Sequence, residues 1–239
     1  MLANVKLLLI VLITAVSTSC ALVDTSLHLF GSQGSRSPLV NWYLDELDLS
    51  YTQLPPRPNP HPFNQVPCLV DGPVDDLSTC SPIWESGAIL LHIATKYDPN
   101  YSIEKHAPWV VFANSALDPI CFREDSNGRV LGTSLDKPNK KIAVLEEMLA
   151  DSDYIVDNKF SVADVAIASY LNYVPLFNGD SVSLRGIPNV VRYMQRCAER
   201  EKFGGAFGGQ HRDMVRGLCG KWLVEGKGGN ADKKMFGIF

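Results

Sequence analysis

The spacing of apolar residues changes from strand-like to helix-like early in the chain. An apolar stretch over 27–31 predicts a short β-strand. Apolar residues then recur every three or four positions over 38–48, which predicts an amphipathic helix. Ser37 suits the N-cap of that helix, and Pro38 suits its first position, where the missing N–H costs no hydrogen bond.

The next segments predict a hairpin and a second helix. Five prolines among the nine residues 55–63 exclude a helix or a central strand there. The apolar runs 66–70 and 81–84 predict two paired strands with a long connection. Residues 85–97 predict a helix with one apolar side.

From residue 106 onward the apolar spacing is helical only. The predicted helices span 106–122, 135–150, 161–173 and 188–199. Ser161 and Asp164 have the spacing of a capping box at the start of the third of these helices. A β-α-β-β-α half followed by an all-helical half predicts two domains, α/β and then all-α, with a boundary near 98–105.

The two ends of the chain carry signals of their own. Lys6 precedes an apolar run and small residues follow up to Ala21, so 1–21 predicts a secretory signal peptide, with an uncleaved anchor as the alternative. From Gly208 the chain holds eight glycines and more basic than acidic residues, which predicts a mobile tail with a short helix around 211–223. The predicted organisation is a signal peptide 1–21, an α/β domain 22–98, an all-helical domain 106–207 and a Gly-rich basic tail 208–239.

Composition narrows the classes of partner. The 239 residues carry a formal net charge of −4, which argues against nucleic acid, because phosphate binding needs a basic surface. We expect no membrane association once the signal is removed. The histidines have no metal-ligand spacing and there is no C-x-x-C, so no metal site is predicted. Cys68 and Cys80 bracket the predicted hairpin and are one candidate disulfide pair, although connectivity cannot be read from the sequence.

Two features could bind a small ligand, one an amino-acid zwitterion and the other a peptide-like group. Ser86 as N-cap would leave free N–H groups and the positive end of the helix dipole for a carboxylate, and Glu85 beside it could pair an ammonium group. A plain helix cap explains the same two residues. If the Val66–Pro67 bond were cis, the main-chain groups of Val66 would be held outward, able to pair with a peptide-like ligand.

Polar side chains crowd the turn between the first strand and the first helix. They are Ser32, Ser35, Arg36 and Ser37. They either hold a negatively charged group at the helix N-terminus or only turn and cap the chain.

Several segments together resemble the glutathione S-transferase family over about 27–207. "HPFNQVPCLVDG" is similar to the family segment that contains a cis-proline, here Pro67. "IWESGAILLHIATKY" resembles the glutathione-binding helix, and "FSVADVAIASYL" resembles the capping box of the helical domain. "WYLDELDLSY" and "WVVFANSALDP" look most like chi-type and related bacterial members. The resemblance implies the glutathione transferase fold, a thioredoxin-like domain (22–98) packed on a helical bundle (106–207).

The resemblance also implies a binding site for glutathione as co-substrate. By position, Val66 beside Pro67 would pair its main chain with the cysteinyl part, and Glu85 and Ser86 would hold the γ-glutamyl zwitterion. Gln65 replaces the usual lysine and could hydrogen-bond the tripeptide. An apolar co-substrate would lie against the first helix of the bundle, at Trp109, Phe112 and Ala116. Because 55–63 is shorter than in the family, its second helix is expected to be largely missing.

Members of this family stabilise the glutathione thiolate with a Tyr, Ser or Cys near the end of the first turn. Such stabilisation produces the nucleophile, because a free thiol is mostly protonated at neutral pH. Residues 31–38 contain no Tyr or Cys, so a serine is expected to serve. Counting back from "DLSY" favours Ser35, whereas the pattern S-Q-x-S-R selects Ser32. Ser35 is preferred, Ser32 is second, and Arg36 would give electrostatic support.

The implied activity is conjugation of glutathione to small electrophiles, or glutathione-dependent peroxide reduction. The alternative is a non-catalytic member that binds a ligand or acts as an interaction module. Family resemblance also suggests a homodimer. The signal predicts the secretory pathway or export, with a complex plastid as the second destination.

Overall fold

A four-stranded sheet organises the first half of the chain, of which the computed structural model describes residues 26–228. The strands are β1 (Leu27–Phe30), β2 (Tyr51–Leu54), β3 (Cys68–Asp71) and β4 (Pro82–Trp84). Their order is β2-β1-β3-β4, with β1 parallel to β2 and antiparallel to β3. β3 pairs antiparallel with β4, so the predicted hairpin is confirmed. The segment 55–63 contains no helix, as its prolines predict.

Strand β2 has no counterpart in the predicted elements. It lies at the edge of the sheet, and its central residues, Thr52 and Gln53, are exposed. An edge strand with two exposed positions gives no apolar alternation, so sequence spacing alone did not reveal it.

The two faces of the sheet are covered differently. On one face, α1 (Ser37–Glu46) and α2 (Ser86–Tyr97) bury their apolar sides in the same core as Leu29 and Leu69. On the other face, a small cluster of Phe30, Cys68 and Val70 is covered by side chains of the long β3–β4 connection. The lengthened hairpin loop therefore has a packing role.

The second half is mainly helical. The helices are α3 (Ile103–Phe112), α4 (Asp118–Cys121), α5 (Lys140–Met148), α6 (Val162–Asn178), α7 (Pro188–Ala198), α8 (Glu201–Phe207) and α9 (Gly209–Gly228), and a π-helical turn (Ala113–Leu117) joins α3 to α4. Helix α6 is the central one, with all of its residues up to Pro175 buried. The predicted capping box is confirmed, since Ser161 accepts from the Ala163 N–H and Asp164 accepts from the Ser161 N–H.

The prediction that only helices follow residue 106 is wrong. A two-stranded hairpin, β5 (Arg123–Glu124) and β6 (Val130–Gly132), separates α4 from α5. Gly128 has a φ of 75°, a conformation that glycine adopts without strain, which suits the turn between the two strands. The helix predicted from 135 begins only at Lys140, because Asn139 caps it by accepting from the N–H groups of Lys141 and Ile142.

The short helix predicted around 211–223 is confirmed, but the expectation of a mobile tail is wrong for residues 209–228. They form α9, which buries Val215, Cys219 and Trp222 on one side. These residues recur at helical spacing, and the glycines between them lower the helix propensity that a sequence reading relies on. Tertiary packing against α6, α7 and α8 outweighs that propensity. The predicted signal peptide, 1–21, lies outside the described residues.

The five cysteines of the described chain are free thiols, so the candidate pair Cys68–Cys80 is not bridged. Burial raises the pKa of the Cys68 thiol to about 11, which keeps it protonated at neutral pH. No described helix is long and apolar enough to cross a membrane.

Candidate functional site

Three predicted segments meet at one end of the sheet. The register pairs Phe30 with Cys68 and Cys68 with Trp84. Gly31, Pro67 and Glu85 are the residues just beyond these pairs, so the turn after β1, the start of β3 and the start of α2 lie side by side. The serine-rich turn, the Val66–Pro67 bond and the Glu85–Ser86 pair are thereby brought together, although Ser32 and Ser86 are 54 positions apart in sequence.

The N-terminus of α2 is built on a strained residue. Glu85 is the N-cap, with φ 67° and ψ 122°, and it makes no side-chain cap hydrogen bond. Ser86 is the first helical residue, so its predicted place as N-cap is wrong. The Ile89 N–H bonds to the Glu85 carbonyl, which leaves the three preceding N–H groups without an intrahelical acceptor. A positive φ outside glycine is a cost that often marks a functional position.

The Ser86 hydroxyl points into the protein. It donates to Asn114 Oδ1 at 3.1 Å, and only 5% of the residue is exposed. Glu85, in contrast, is exposed. At this helix end, therefore, main-chain N–H groups and the Glu85 carboxylate are the polar groups free to meet a ligand.

The bond between Val66 and Pro67 is cis, as the resemblance implies. The strand pairing of β3 begins only at Cys68, so the main chain of Val66 lies just before the paired part of the strand. Gln65 is exposed, and its carbonyl accepts from Asn59 Nδ2 at 3.2 Å within the proline-rich segment. Val66 and Gln65 therefore border the end of the sheet where Glu85 lies.

The hydroxyl of Ser35 is occupied within the turn. It donates to the Ser32 carbonyl at 2.8 Å, accepts from the Ser37 N–H at 3.1 Å, and lies 2.7 Å from Ser37 Oγ. Ser37 is not the N-cap that the sequence suggests. Arg36 is the N-cap, while Ser37 Oγ accepts from the Ser32 N–H. A Cβ at Gly31 would overlap the Ser37 hydroxyl, so this turn requires glycine there.

Ser32 has the free hydroxyl of the turn. Its side chain is exposed, and within residues 26–226 its hydroxyl makes no hydrogen bond. Its main chain is fixed, because its N–H donates to Ser37 Oγ and its carbonyl accepts from Ser35. Ser32 thus presents a hydroxyl from a rigid turn at the N-terminus of α1.

Arg36 is paired with a carboxylate of the second domain. One of its nitrogens donates to both oxygens of Asp118, at 2.8 and 2.9 Å, and its guanidinium lies 5.2 Å from the centre of the Tyr170 ring. Burial acts to lower the pKa of Arg36, but Tyr170 and Asp118 raise it overall. Burial raises the pKa of Asp118 despite the arginine. Arg36 therefore joins the first turn to the second domain.

A cavity of about 370 Å³ opens beside Ser35 and Arg36. Its apolar walls come from Phe122, Val130, Tyr173, Leu176 and Phe177. A second, more open cavity of about 620 Å³ shares Gln33, Gly34, Tyr173 and Leu176 with it and extends to α9. The two cavities form a groove along the serine-rich turn.

The predicted co-substrate residues do not line this groove. Trp109 and Phe112 pack edge to face at 5.9 Å between ring centres and lie against the main core, and Ala116 is half-buried in the π-helical turn. The sequence did not single out Phe122, Leu176 and Phe177. Leu176 and Phe177 extend a helical pattern past its predicted end at 173, which was the available signal.

Comparison with family models agrees with this geometry. Residues 25–95 match the model "Glutathione S-transferase, N-terminal domain", and residues 115–201 match "Glutathione S-transferase, C-terminal domain". The two matches cover well over half of the chain in the family's order. Together the two models describe the fold observed here, a thioredoxin-like sheet domain followed by a helical domain. The chain belongs to the glutathione S-transferase family.

Two curated relatives come from Schizosaccharomyces pombe. Glutathione S-transferase 2 is 29% identical over 174 residues, which cover 61% of this chain and 74% of that protein. Glutathione S-transferase 1 is 26% identical over 162 residues, covering 56% of this chain and 69% of that protein. Among solved structures, Ure2p5 from Phanerochaete chrysosporium, cocrystallized with 1-(S-glutathionyl)-2,4-dinitrobenzene, superposes with a TM-score of 0.58 at 20% identity, covering 80% of this chain and 97% of that one. This likeness concerns the fold.

Proposed function

We propose that the protein is a glutathione transferase that conjugates glutathione to small apolar electrophiles. The observation that carries the proposal is the convergence of Gly31, Pro67 and Glu85 at one end of the sheet. Three segments that could bind three parts of one peptide meet there. An apolar groove opens along residues 33–36 of the serine-rich turn, which follows Gly31.

The γ-glutamyl end of glutathione suits the start of α2. Its carboxylate would accept from the free N–H groups of the first turn, where the helix dipole favours negative charge. Its ammonium group would pair with the exposed Glu85 carboxylate. The main chain of Val66 would pair with the cysteinyl unit, and Gln65 could bond the peptide from the side.

Ser32 is the serine that we assign to the thiol. Its hydroxyl is exposed and free, whereas that of Ser35 is held by Ser32 and Ser37. A hydrogen bond from a hydroxyl to a thiolate favours the ionised form, and so does the N-terminus of α1. This assignment makes the protein a serine-type member. The chi-like subtype stays a prediction from the sequence.

The electrophile would lie in the groove along Gln33 and Gly34. Its aromatic walls, Phe122, Tyr173 and Phe177, suit a flat apolar group. The related Ure2p5 was cocrystallized with a glutathionyl-dinitrobenzene, which is a product of this kind of conjugation. An aryl halide is therefore the first electrophile to test, and an organic hydroperoxide is the second.

Titration of glutathione with the purified protein tests the proposal. We expect calorimetric binding, and thiolate absorbance of the bound glutathione at a lower pH than for free glutathione. Glu85→Gln should weaken binding by about 1–2 kcal/mol, the size of one charge-assisted hydrogen bond. Glu147→Gln, at an exposed position on α5, is the matched control and should bind as the wild type does. Absence of glutathione binding to the wild type would refute the proposal.

A non-catalytic glutathione-binding protein is the second candidate. It is favoured by the linker between β2 and β3, which has no helix to cover that side of the site and leaves Phe63 67% exposed. In that case glutathione would bind, but its thiol would titrate as in solution and no conjugate would form. The absorbance measurement separates the two candidates.

Dimer formation and destination are proposals of their own. A homodimer, as the family resemblance suggests, is tested by sedimentation of the purified protein at several concentrations. The predicted signal is tested by fusing residues 1–30 to a reporter, which should enter the secretory pathway, or a complex plastid in a cell that has one. Cytosolic reporter would refute both destinations.

A further inference from the structure

Asn114 connects the second domain to the start of α2. It lies in the π-helical turn Ala113–Leu117, an irregularity that is frequent at functional sites. Its Nδ2 donates to the Val110 carbonyl at 2.8 Å, which fixes the orientation of the amide. Its Oδ1 then accepts from two hydroxyls, Ser86 at 3.1 Å and Tyr170 at 2.8 Å.

The main chain of α2 rests directly on this amide. A Cβ at Gly87 would lie 2.6 Å from Asn114 Nδ2, so only glycine allows the approach. Ser86 and Gly87 are both buried. The contact therefore holds the residues that immediately follow the strained Glu85.

Tyr170 extends the contact towards the serine-rich turn. Its hydroxyl bonds to Asn114, and its ring lies under the Arg36 guanidinium. Burial raises the pKa of Tyr170 to about 12, although the charge of Arg36 acts in the opposite direction, so its hydroxyl stays neutral and remains a donor. A chain of contacts thus joins Arg36, Tyr170, Asn114 and Ser86 beneath the proposed glutathione site.

We propose that Asn114 is a positioning residue for the γ-glutamyl carboxylate of glutathione. It holds the Ser86 hydroxyl inward and fixes the first turn of α2, so that the Ser86 and Gly87 N–H groups face the ligand. The inference rests on the proposed function, since it concerns the same site. Asn114 acts through these neighbours, because its Oδ1 accepts from Ser86 and Tyr170 and its Nδ2 donates to Val110.

The physical basis is the accuracy with which the donors are held. A carboxylate is bound well only when the N–H groups are fixed at hydrogen-bonding distance, and small displacements cost much of the interaction. Removing the amide leaves the hydroxyls of Ser86 and Tyr170 without their acceptor and frees the Ser86 side chain to rotate. The first turn of α2 then loses the contact that orients it.

Two ligands distinguish a positioning role of Asn114 from a general loss of structure in the variant. Asn114→Ala should weaken glutathione binding about tenfold in calorimetry. The same variant should bind γ-aminobutyryl-cysteinyl-glycine, which is glutathione without the γ-glutamyl α-carboxylate, as the wild type does. Ser115→Ala is the matched control, because Ser115 lies in the same π-helical turn, is exposed and bonds only to the Val111 carbonyl at 2.8 Å. It should bind both ligands normally.

Asn114→Asp keeps the shape of the side chain and is the variant to measure if Asn114→Ala does not fold. Its carboxylate would oppose that of the ligand, so glutathione should bind more weakly than to Asn114→Ala at pH 7.5 and recover towards that level at pH 5.5. Wild-type affinity in both variants, or equal losses for both ligands, would overturn the inference and leave the proposed function intact. A wild type that binds no glutathione would instead refute the proposed function itself.

Discussion

Helix α1 is tied to the second half of the chain by an arginine–carboxylate pair at each of its ends. At its C-terminal end, Arg200 bonds Glu46, and at its N-terminal end, Arg36 bonds Asp118. Each arginine also lies over an aromatic ring, Phe160 in one case and Tyr170 in the other. The two ends thus use the same three chemical groups.

The geometry of the two pairs differs. Arg200 uses two nitrogens for the two oxygens of Glu46, at 2.7 and 2.6 Å, and lies 3.6 Å from the ring centre, whereas Arg36 uses one nitrogen and lies 5.2 Å from its ring centre. The Glu46 side chain is 10% exposed and that of Asp118 is 23% exposed. The C-terminal pair is the more buried of the two, which favours a role in stability, and a cavity of about 440 Å³ opens beside Glu46 and Arg200. The N-terminal end is more open and borders the groove, which indicates that similar groups serve different roles according to their packing.

The largest effect is expected at the C-terminal end. Arg200→Ala should lower the free energy of unfolding by about 3 kcal/mol, because it leaves Glu46 unpaired in a mostly buried place. Denaturant unfolding measures this loss. Arg200→Lys is the control, since it keeps the charge but not the two-nitrogen geometry. Its free energy of unfolding should lie between those of the wild type and Arg200→Ala. A loss under 1 kcal/mol would show that this end is not the stronger anchor.

The serines of the N-terminal end should separate activity from stability. Ser32→Ala should lower kcat/KM ten- to hundredfold, about 1.4–2.7 kcal/mol, with little effect on glutathione affinity, because its hydroxyl is proposed to bond the thiolate. Ser35→Ala should instead cost about 1 kcal/mol of stability, because its hydroxyl holds the turn. Kinetics with an aryl halide, together with thermal unfolding of each variant, measures both. A reversed outcome would return the thiol-activating role to Ser35.

Arg36→Ala should have a smaller effect on stability than Arg200→Ala. We expect about 1 kcal/mol, because the side chain of Arg36 is 43% exposed and solvent screens the pair. A double-mutant cycle with Asp118→Ala measures the pair directly. Equal losses for Arg36→Ala and Arg200→Ala would contradict the distinction between the two ends.

A pH effect on stability is expected near the N-terminal end. Tyr173, whose hydroxyl donates to the Ser35 carbonyl, packs against His211, whose Nε2 donates to the Asn172 carbonyl at 2.7 Å. Burial lowers the pKa of His211 below its ordinary 6.5, although the bond to Asn172 opposes this. The unfolded chain therefore binds a proton that the folded chain does not, and stability falls as the pH falls.

The expected loss from His211 is at most about 0.4 kcal/mol at pH 6.5 relative to pH 8, the limit set by the ordinary pKa of the unfolded chain, and it grows at lower pH. Unfolding at a series of pH values measures it. His211→Gln, which keeps a donor but cannot titrate, should remove this part of the slope. An unchanged slope in the variant would show that His211 does not contribute.

Much of the fold could be predicted from short-range patterns. The capping box at Ser161 and Asp164, the absence of a helix in 55–63 and the hairpin of β3 and β4 all follow from residues a few positions apart. The cis bond at Pro67 was predicted from the family resemblance and is confirmed. Strand β2, the hairpin β5–β6 and the two ends of α9 were missed, because their stability comes from neighbours distant in sequence.

The candidate site shows the same difference between what local sequence patterns predict and what distant neighbours decide. The sequence identified the polar residues of the serine-rich turn, Glu85 and Ser86 before their surroundings were known. It could not show that the Ser35 hydroxyl is bonded inside the turn while that of Ser32 is free. Both serines are equally polar and both precede the helix by a few residues, so only the arrangement of their neighbours distinguishes their hydroxyls.

The sequence by itself determined most of the helices, three strands of the main sheet and the polar residues of the candidate site, because propensity, capping and apolar spacing act over a few residues. Only the tertiary structure decided which side chains meet: Ser86 with Asn114, Arg36 with Asp118, and Tyr173 with Ser35. The last of these contacts joins residues 138 positions apart. Such contacts form when two domains pack their apolar faces, and the polar groups trapped between them must then find partners, which no local pattern specifies.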